Sequence, residues 1–398
     1  MSRVSCLLRR LPLLAITTFA TFPMSPPCAS ATDWFVDPNG PLTIQDAIDG
    51  ASAGDAVVLR AGIHQADSTV VLKHGVSLVS EDGTPETTWV VPAVIVDFQP
   101  ILQIPTDIDG TTRIAGITFR DGRDGLYVRG SPVIEDCVVG PNTGSWYVMG
   151  AAVTGSPTIR RCVFDSNRAW DVSAQGGGLV TSVTVTLEDC VISNNRPRGL
   201  QIDDGDVHLI RCRVEFNRPR EGVGVWKYRG SLTATDCSFI DNGTASISAV
   251  GVDLERCVLI GSFYGLTGVS GSVRSSTIVG CTRGVRAIDE TTIESSIIAF
   301  NGASATGPVT LSCSDVFGNT NGDWVGDIAG QDAEFGNFSA DPLFCDLEAG
   351  DLTLNSRSPC LPQNLCGLVG ALGLGCGTVS VRPESWGRIK GRFDSTFR

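Results

Sequence analysis

Six cysteines, Cys137, Cys162, Cys190, Cys212, Cys237 and Cys257, recur in one small pattern, and five of them have an asparagine five positions later. Each is followed by an alternating apolar strand. The pattern extends to ten segments when Gly116, Ser276, Ser296 and Ser314 are taken as further anchors, 18 to 28 residues apart. The position five beyond then reads Asn142, Asn167, Asn195, Asn217, Asn242, Asn301 and Asn319, with Asp121, Ser262 and Cys281 as exceptions. A unit this short cannot bury its own apolar face, whereas stacked copies can, so the spacing predicts a solenoid in place of a globular core.

One unit, Thr158–Asn167, shows the local logic. Ile159 points inward, Arg160 and Arg161 make a polar corner, and Cys162 and Phe164 point inward again. Period-two alternation broken by a two-residue corner means two strands meeting at a bend, and asparagine, which tolerates left-handed backbone, closes the turn. A third strand, usually opened by glycine, precedes each corner, as in Gly125–Val128 and Gly199–Ile202. Three short strands per turn, stacked about 4.8 Å apart, predict a single-stranded parallel β-helix of about ten rungs. The crossover preference of parallel strands makes it right-handed.

Both ends of such a coil expose strand edges and need covers. Ile44, Ala47 and Ile48 share one face of an amphipathic cap helix, followed by a first strand at Ala56–Leu59. At the other end, Cys345, Cys360, Cys366 and Cys376 sit in a Gly/Pro-rich stretch that predicts a two-bridge staple of undetermined pairing. The six repeat cysteines read instead as an inward column of small apolar thiols. The expected order is a signal peptide over 1–31, a cap and first turns over 32–115, repeats over 116–340, a cysteine-rich cap over 341–378, and a basic, aromatic tail over 379–398.

Arg3, Arg9 and Arg10 precede an apolar stretch ending at Phe22, and Ala29-Ser30-Ala31 offers a small-x-small cleavage site, the pattern of an export signal. Export predicts a secreted or cell-surface protein in which disulfides are permitted. No apolar run is long enough for a transmembrane segment. The net charge of −13 argues against nucleic acid as a general partner.

The segment Leu42–His64, LTIQDAIDGASAGDAVVLRAGIH, is similar to the entry of the right-handed parallel β-helix repeat proteins of the pectin-lyase-like superfamily, with His64 in place of the usual tyrosine. The resemblance spans roughly Thr43 to Gly370 and implies the fold; the superfamily includes lyases, glycoside hydrolases, epimerases and non-catalytic surface proteins.

Outward residues of the strand before the corner are expected to form two columns. One reads Tyr127, Ala152, Val180, Gln201, Gly224, Ser248, Thr267, Arg286, and its neighbour Arg129, Thr154, Ser182, Asp203, Trp226, Val250, Val269, Ile288. Neither column contains the stacked acid pair that glycoside hydrolysis needs. Asp203, Asp204 and Asp206 form an oxygen-rich cluster that admits Ca2+, with Arg211 nearby as a candidate base for a calcium-assisted lyase on uronate polymers. A solvated acidic turn explains the same residues. Asn319, Asn321 and Asp323 imitate the opening of a calcium loop, but Trp324 replaces its glycine. Asn-Arg repeats place Arg168, Arg196 and Arg218, with Arg198 and Arg220, in a guanidinium strip beside Trp170, Trp226 and Tyr127, suited to carboxylate- or sulfate-bearing polymers. Internal pairing of those arginines is the alternative. The preferred expectation is a secreted, bacterial-type, monomeric β-helix protein that binds an acidic polysaccharide or cell-surface glycan without catalysis.

Overall fold

The structure, a computed structural model, describes residues 31–96, 99–144, 147–169, 175–218, 222–332, 334–362 and 366–377. The signal segment over 1–30 and the tail over 379–398 therefore lie outside the described residues. Within them, the chain winds through three strands per turn. In one turn Arg198–Ile202 lies on a first face, Asp206–Ile210 on a second and Arg213–Glu215 on a third. Each pairs in parallel with its equivalent in the next turn, Val223–Lys227, Ser231–Thr235 and Ser238–Ile240. The stack is longer than ten rungs, because the third face is a 12-stranded sheet. Its last ten strands follow the ten anchors. The two extra strands, Gly62–Ala66 and Thr88–Pro92, come earlier and carry neither cysteine nor asparagine.

Each bend between the second and third faces is a single left-handed residue: Asp136, Arg161, Asp189, Arg211, Asp236, Arg256, Ser275, Ser295 and Cys313 all have φ between 46° and 56°. The anchor follows it. In the first repeat the bend is Gly116 (φ 70°), so Ile117, not Gly116, stands in the anchor column, and Gly122, not Asp121, heads the asparagine column. The six repeat cysteines are buried and unpaired. Their thiols donate to the carbonyl two residues back, as Cys162 does to Arg160 at 3.3 Å. Burial pushes the Cys162 thiol up, away from the reactive thiolate.

Beyond the third face the asparagines form a ladder. Nδ2 of Asn142, Asn167, Asn195 and Asn217 donates to Oδ1 of the next rung's asparagine at 2.9, 3.0, 3.1 and 2.9 Å. The same amide nitrogen also donates to a backbone carbonyl of the preceding rung, for Asn195 to Phe164 at 2.8 Å. All these side chains are fully buried, so every bond replaces one that water would have made. The opening glycines are explained here. A Cβ on Gly178, Gly199 or Gly224 would lie 2.6–2.9 Å from the amide of Asn195, Asn217 or Asn242. Where Ser262 replaces the asparagine, Ser246 replaces the glycine, and the two hydroxyls bond at 2.9 Å. Asn319 closes the upper ladder on Asp323, whose carboxylate accepts from Asn319 N and Nδ2 and from Gly318 N. Those oxygens cap the ladder, so the imitated calcium loop has another explanation.

The helix Ile44–Gly50 covers the N-terminal end, burying Ile44, Ala47 and Ile48, with Thr43 and Asp46 exchanging cap bonds. One strand, Asp33–Val36, precedes it and pairs with Ala56–Leu59. At the other end the staple differs from expectation. Cys345 pairs with Cys376, but Cys366 pairs with Cys313, the bend residue of the last repeat. Cys360 stays a buried thiol and donates to Oδ2 of Asp315 at 3.4 Å. Cys313 lies outside the terminal cluster, 53 residues before Cys366, so cysteine clustering alone does not point to this bridge.

Asp315 is fully buried in the last rung, and burial pushes its carboxyl up to about 7, with Asp323 and Asp341 adding to the shift. Bonds from Ala340 N and the Cys360 thiol oppose it. A raised folded pKa stabilises fully below the unfolded value near 4, and that contribution, up to about 4 kcal/mol, is lost as pH rises through about 7. Asp315→Asn should remove this slope, so thermal melts of the two proteins should differ more at pH 8 than at pH 5; parallel curves would disprove it. For the ladder, Asn217→Ala strands the buried backbone N–H and side-chain amide of Asn195 and the Ile192 carbonyl, and should lower stability by about 2–4 kcal/mol in a denaturant titration. An exposed Asn39→Ala serves as the control.

Candidate functional site

Among the described residues the first face presents an outward group of arginines and aromatic rings. Its column reads Gln103, Tyr127, Ala152, Val180, Gln201, Trp226, Ser248, Thr267 and Arg286. Trp226 thus occupies the place expected for Gly224, and Tyr228 rather than Trp226 follows Asp203 in the neighbouring column. The sequence offers two opening glycines, Gly222 and Gly224. The one that packs under Asn242 is Gly224, and this shifts the strand by two residues.

The shift assembles a cluster. Arg198 lies 4.2 Å above the Trp226 ring and donates to Gln201 Oε1 at 2.5 Å, while Gln201 Nε2 donates to Asp203 Oδ1 at 2.7 Å. Gly176 N also donates to Gln201 Oε1, so the amide is fixed on three sides although it faces outward. Trp226 and Tyr228 stack with centroids 6.1 Å apart and 15° between planes. Arg229 sits 5.2 Å from the Tyr228 ring, and four rungs away Arg129 sits 5.5 Å from Tyr127. Tyr228 is 63% exposed. Burial lowers the Arg198 pKa from its ordinary value, and Asp203 pulls it back.

A comparison of the arginines separates structural from available charge. At the bends, Arg113, Arg160 and Arg161 converge on Glu135. Burial opposes ionisation of Glu135, but the three guanidiniums hold it down to about 2. Arg256 pairs with Asp236 and Glu255 in the same way. On the first face, Arg129, Arg198 and Arg229 have no carboxylate at ion-pair distance among the described residues, and the buried Nε of Arg129 has no hydrogen-bond partner there.

Of the expected guanidinium strip, Arg168 and Arg196 do stack across a parallel bridge, and the Arg196 Nε is buried without a partner among the described residues. Arg218 is anchored on Asp241 through its side-chain and backbone oxygens. Arg198 leaves the strip for the first face. Arg220 and Trp170 lie outside the described residues. Next to the strip, Arg168, Asn194, Phe216 and Arg218 line a hollow of about 180 Å³.

The acidic cluster does not converge. Asp203 takes Gln201, Asp204 accepts from its own loop at Gly205 N, and Asp206 accepts from Ser231 N and Oγ. The Ser231 bonds lower the Asp206 pKa. Among the described residues no group of three acidic, histidine or cysteine side chains could hold a metal ion. Arg211 is remote from them in chemistry: it is a bend residue whose bonds to Asp189 and Glu188 push its pKa up, the opposite of what a base requires. Sequence reasoning singled out Trp226-Lys227-Tyr228 as ring-bearing but missed Gln201 and Arg229 as residues of the candidate site. The pairing of Trp226 with Tyr228 two positions on was the available signal, since period two puts both on one side.

The family model described as right handed beta helix region matches residues 106–254. Among solved structures, pectate lyase Pel9A is similar over 87% of this chain and 97% of its own, with 14% identity and a TM-score of 0.57. A variant of the PL6 family alginate lyase AlyGC is similar over 88% of this chain, with 13% identity and a TM-score of 0.51, and the chain spans 60% of that lyase's length. No curated protein matches in sequence. At these identities the likeness establishes the fold, a right-handed β-helix as in pectate lyase.

Proposed function

We propose that this right-handed parallel β-helix protein is exported and binds an acidic polysaccharide along its first face, holding the polymer without cleaving it. The observation that carries the reading is the stacked pair of half-buried Trp226 and exposed Tyr228, with the guanidiniums of Arg198 and Arg229 against it and no carboxylate at ion-pair distance from either among the described residues. Aromatic faces suit the C–H faces of sugar rings, and guanidinium forks suit carboxylates. Ala152, Val180 and Gln201 lie between the two arginine–ring groups in the column. The two disulfides and the N-terminal arginine-then-apolar pattern support export.

The second reading is a calcium-assisted lyase acting on uronate polymers. It is favoured by the shared fold with lyases whose names specify pectate and alginate. Separate partners for Asp203, Asp204 and Asp206 favour binding over that alternative.

Retention on polygalacturonate and alginate, measured by affinity electrophoresis, should fall about tenfold in affinity for Arg198→Ala and for Trp226→Ala, the loss of one charged bond or one stacking face. Retention unchanged in both would remove the aromatic face as the site. Unsaturated product detected by ultraviolet absorbance with calcium present, and abolished by Asp203→Ala, would establish the lyase instead.

A further inference from the structure

Exposed apolar side chains follow one margin of the first face. Tyr228, Val250 and Ile288 each lie two residues beyond a member of the outward column, namely Trp226, Ser248 and Arg286. They are 63%, 48% and 56% exposed. On the rung between the last two, the strand Tyr264–Arg274 takes one extra residue against Arg283–Glu294, at Gly268 with φ 65°. Bulges of this kind re-aim neighbouring side chains and are frequent beside functional sites.

Beside that margin stands a second group of cations with a ring. Tyr264 pairs across rungs with Arg283, and Thr267 with Arg286, so the four mark a patch of about 5 by 10 Å, one rung high and three residues wide. Arg283 lies 5.6 Å from the Tyr264 ring and donates through Nη1 to its hydroxyl at 3.3 Å. Phe263, itself exposed, meets the same ring edge-on at 4.9 Å. Arg286 is exposed and makes no side-chain hydrogen bond or ion pair among the described residues, and neither arginine has a carboxylate at ion-pair distance there. Acids are close in sequence, since Asp289 and Glu290 follow on the same strand, yet Asp289 accepts from Glu290 N instead. Elsewhere on these rungs arginines do meet acids: Arg256 takes Asp236 and Glu255, and Arg274 takes Asp253. A chain of net charge −13 thus leaves two guanidiniums of one face to a ligand that brings its own carboxylates.

We propose that Tyr264, Arg283 and Arg286 form a second anion-binding group for the same acidic polymer, which therefore lies along the rod axis. The inference rests on the reading of Trp226 and Arg198 as the first group. Trp226, Ser248, Thr267 and Arg286 occupy successive rungs of one outward column, which sets the two groups about 14 Å apart. Sugar rings pack along the margin of Tyr228, Val250 and Ile288, and carboxylates meet Arg198 at one end and Arg283 with Arg286 at the other. Two groups engaged by one chain reinforce each other through effective concentration, so the face selects for length. A short oligomer fills one group, and a long one fills both.

The test titrates the full chain calorimetrically with trimers and nonamers of galacturonate and of mannuronate. In the series that binds, the nonamer should bind at least about tenfold more tightly than the trimer. Arg283→Gln combined with Arg286→Gln should weaken the nonamer about tenfold or more, the loss of charged hydrogen bonds, and leave the trimer within about twofold. Arg256→Gln combined with Arg274→Gln changes the net charge equally away from the face and should leave both oligomers within about twofold. Trp226→Ala should weaken trimer and nonamer alike. A nonamer sensitive to Trp226→Ala but indifferent to the Arg283 and Arg286 pair, or equal to the trimer in the parent, overturns the second group and leaves the first. A nonamer indifferent to Trp226→Ala, or no binding of any of the four probes, overturns both. Equal losses in the two arginine pairs would reduce the effect to overall charge and also overturn the second group.

Discussion

A row of buried side-chain amides sets the register of this molecule. Each asparagine accepts from the rung before it, donates to the rung after it, and donates again to a backbone carbonyl. An amide buried at this depth must be satisfied, and only the in-register stack satisfies all of it at once. A slip of one residue would turn apolar side chains outward and would also orphan the amides, so two independent penalties fall on the same error. The glycines complete the constraint, since the space a Cβ would fill is already occupied by amide. The Ser246–Ser262 exchange shows that the two positions behave as one volume shared between residues.

With register fixed on the inside, the outside is free to vary. The inward column Leu126, Ala151, Leu179, Leu200, Val225 and Ile247 is apolar at every rung, while the outward column runs from tyrosine through alanine and valine to glutamine and tryptophan. Bend arginines meet acids on neighbouring rungs and stabilise the stack modestly, as partly exposed ion pairs do. First-face arginines meet rings instead. The division of one residue type into two roles follows from which strand carries it, and it concentrates accessible positive charge on a chain whose net charge is −13.

Much of this architecture could be read from the chain. The Cys and Asn spacing located ten of the strands of the third face, and the cap helix was found with its buried residues, Ile44, Ala47 and Ile48. The failures share a cause: local sequence cannot decide between equivalent neighbours. Gly116 and Ile117, or Gly222 and Gly224, compete for one role, and contacts with another rung decide. Cys313 carries no local sign of a bridge, because its partner, Cys366, lies 53 residues away. The acidic run Asp203–Asp206 looked like a cluster because it is one in sequence, whereas alternation along the strand and the turn sends each carboxylate to a different partner.

The Cys313–Cys366 bridge gives the rod a polarity under load. One terminus is covalently clamped to its final coil, whereas the opposite one is sealed by a seven-residue helix held only by non-covalent contacts, apolar packing and hydrogen bonds to Val71 and Lys73. Tension applied along the axis would therefore peel coils away beginning at the helical lid, and the clamped terminus would be the last to yield.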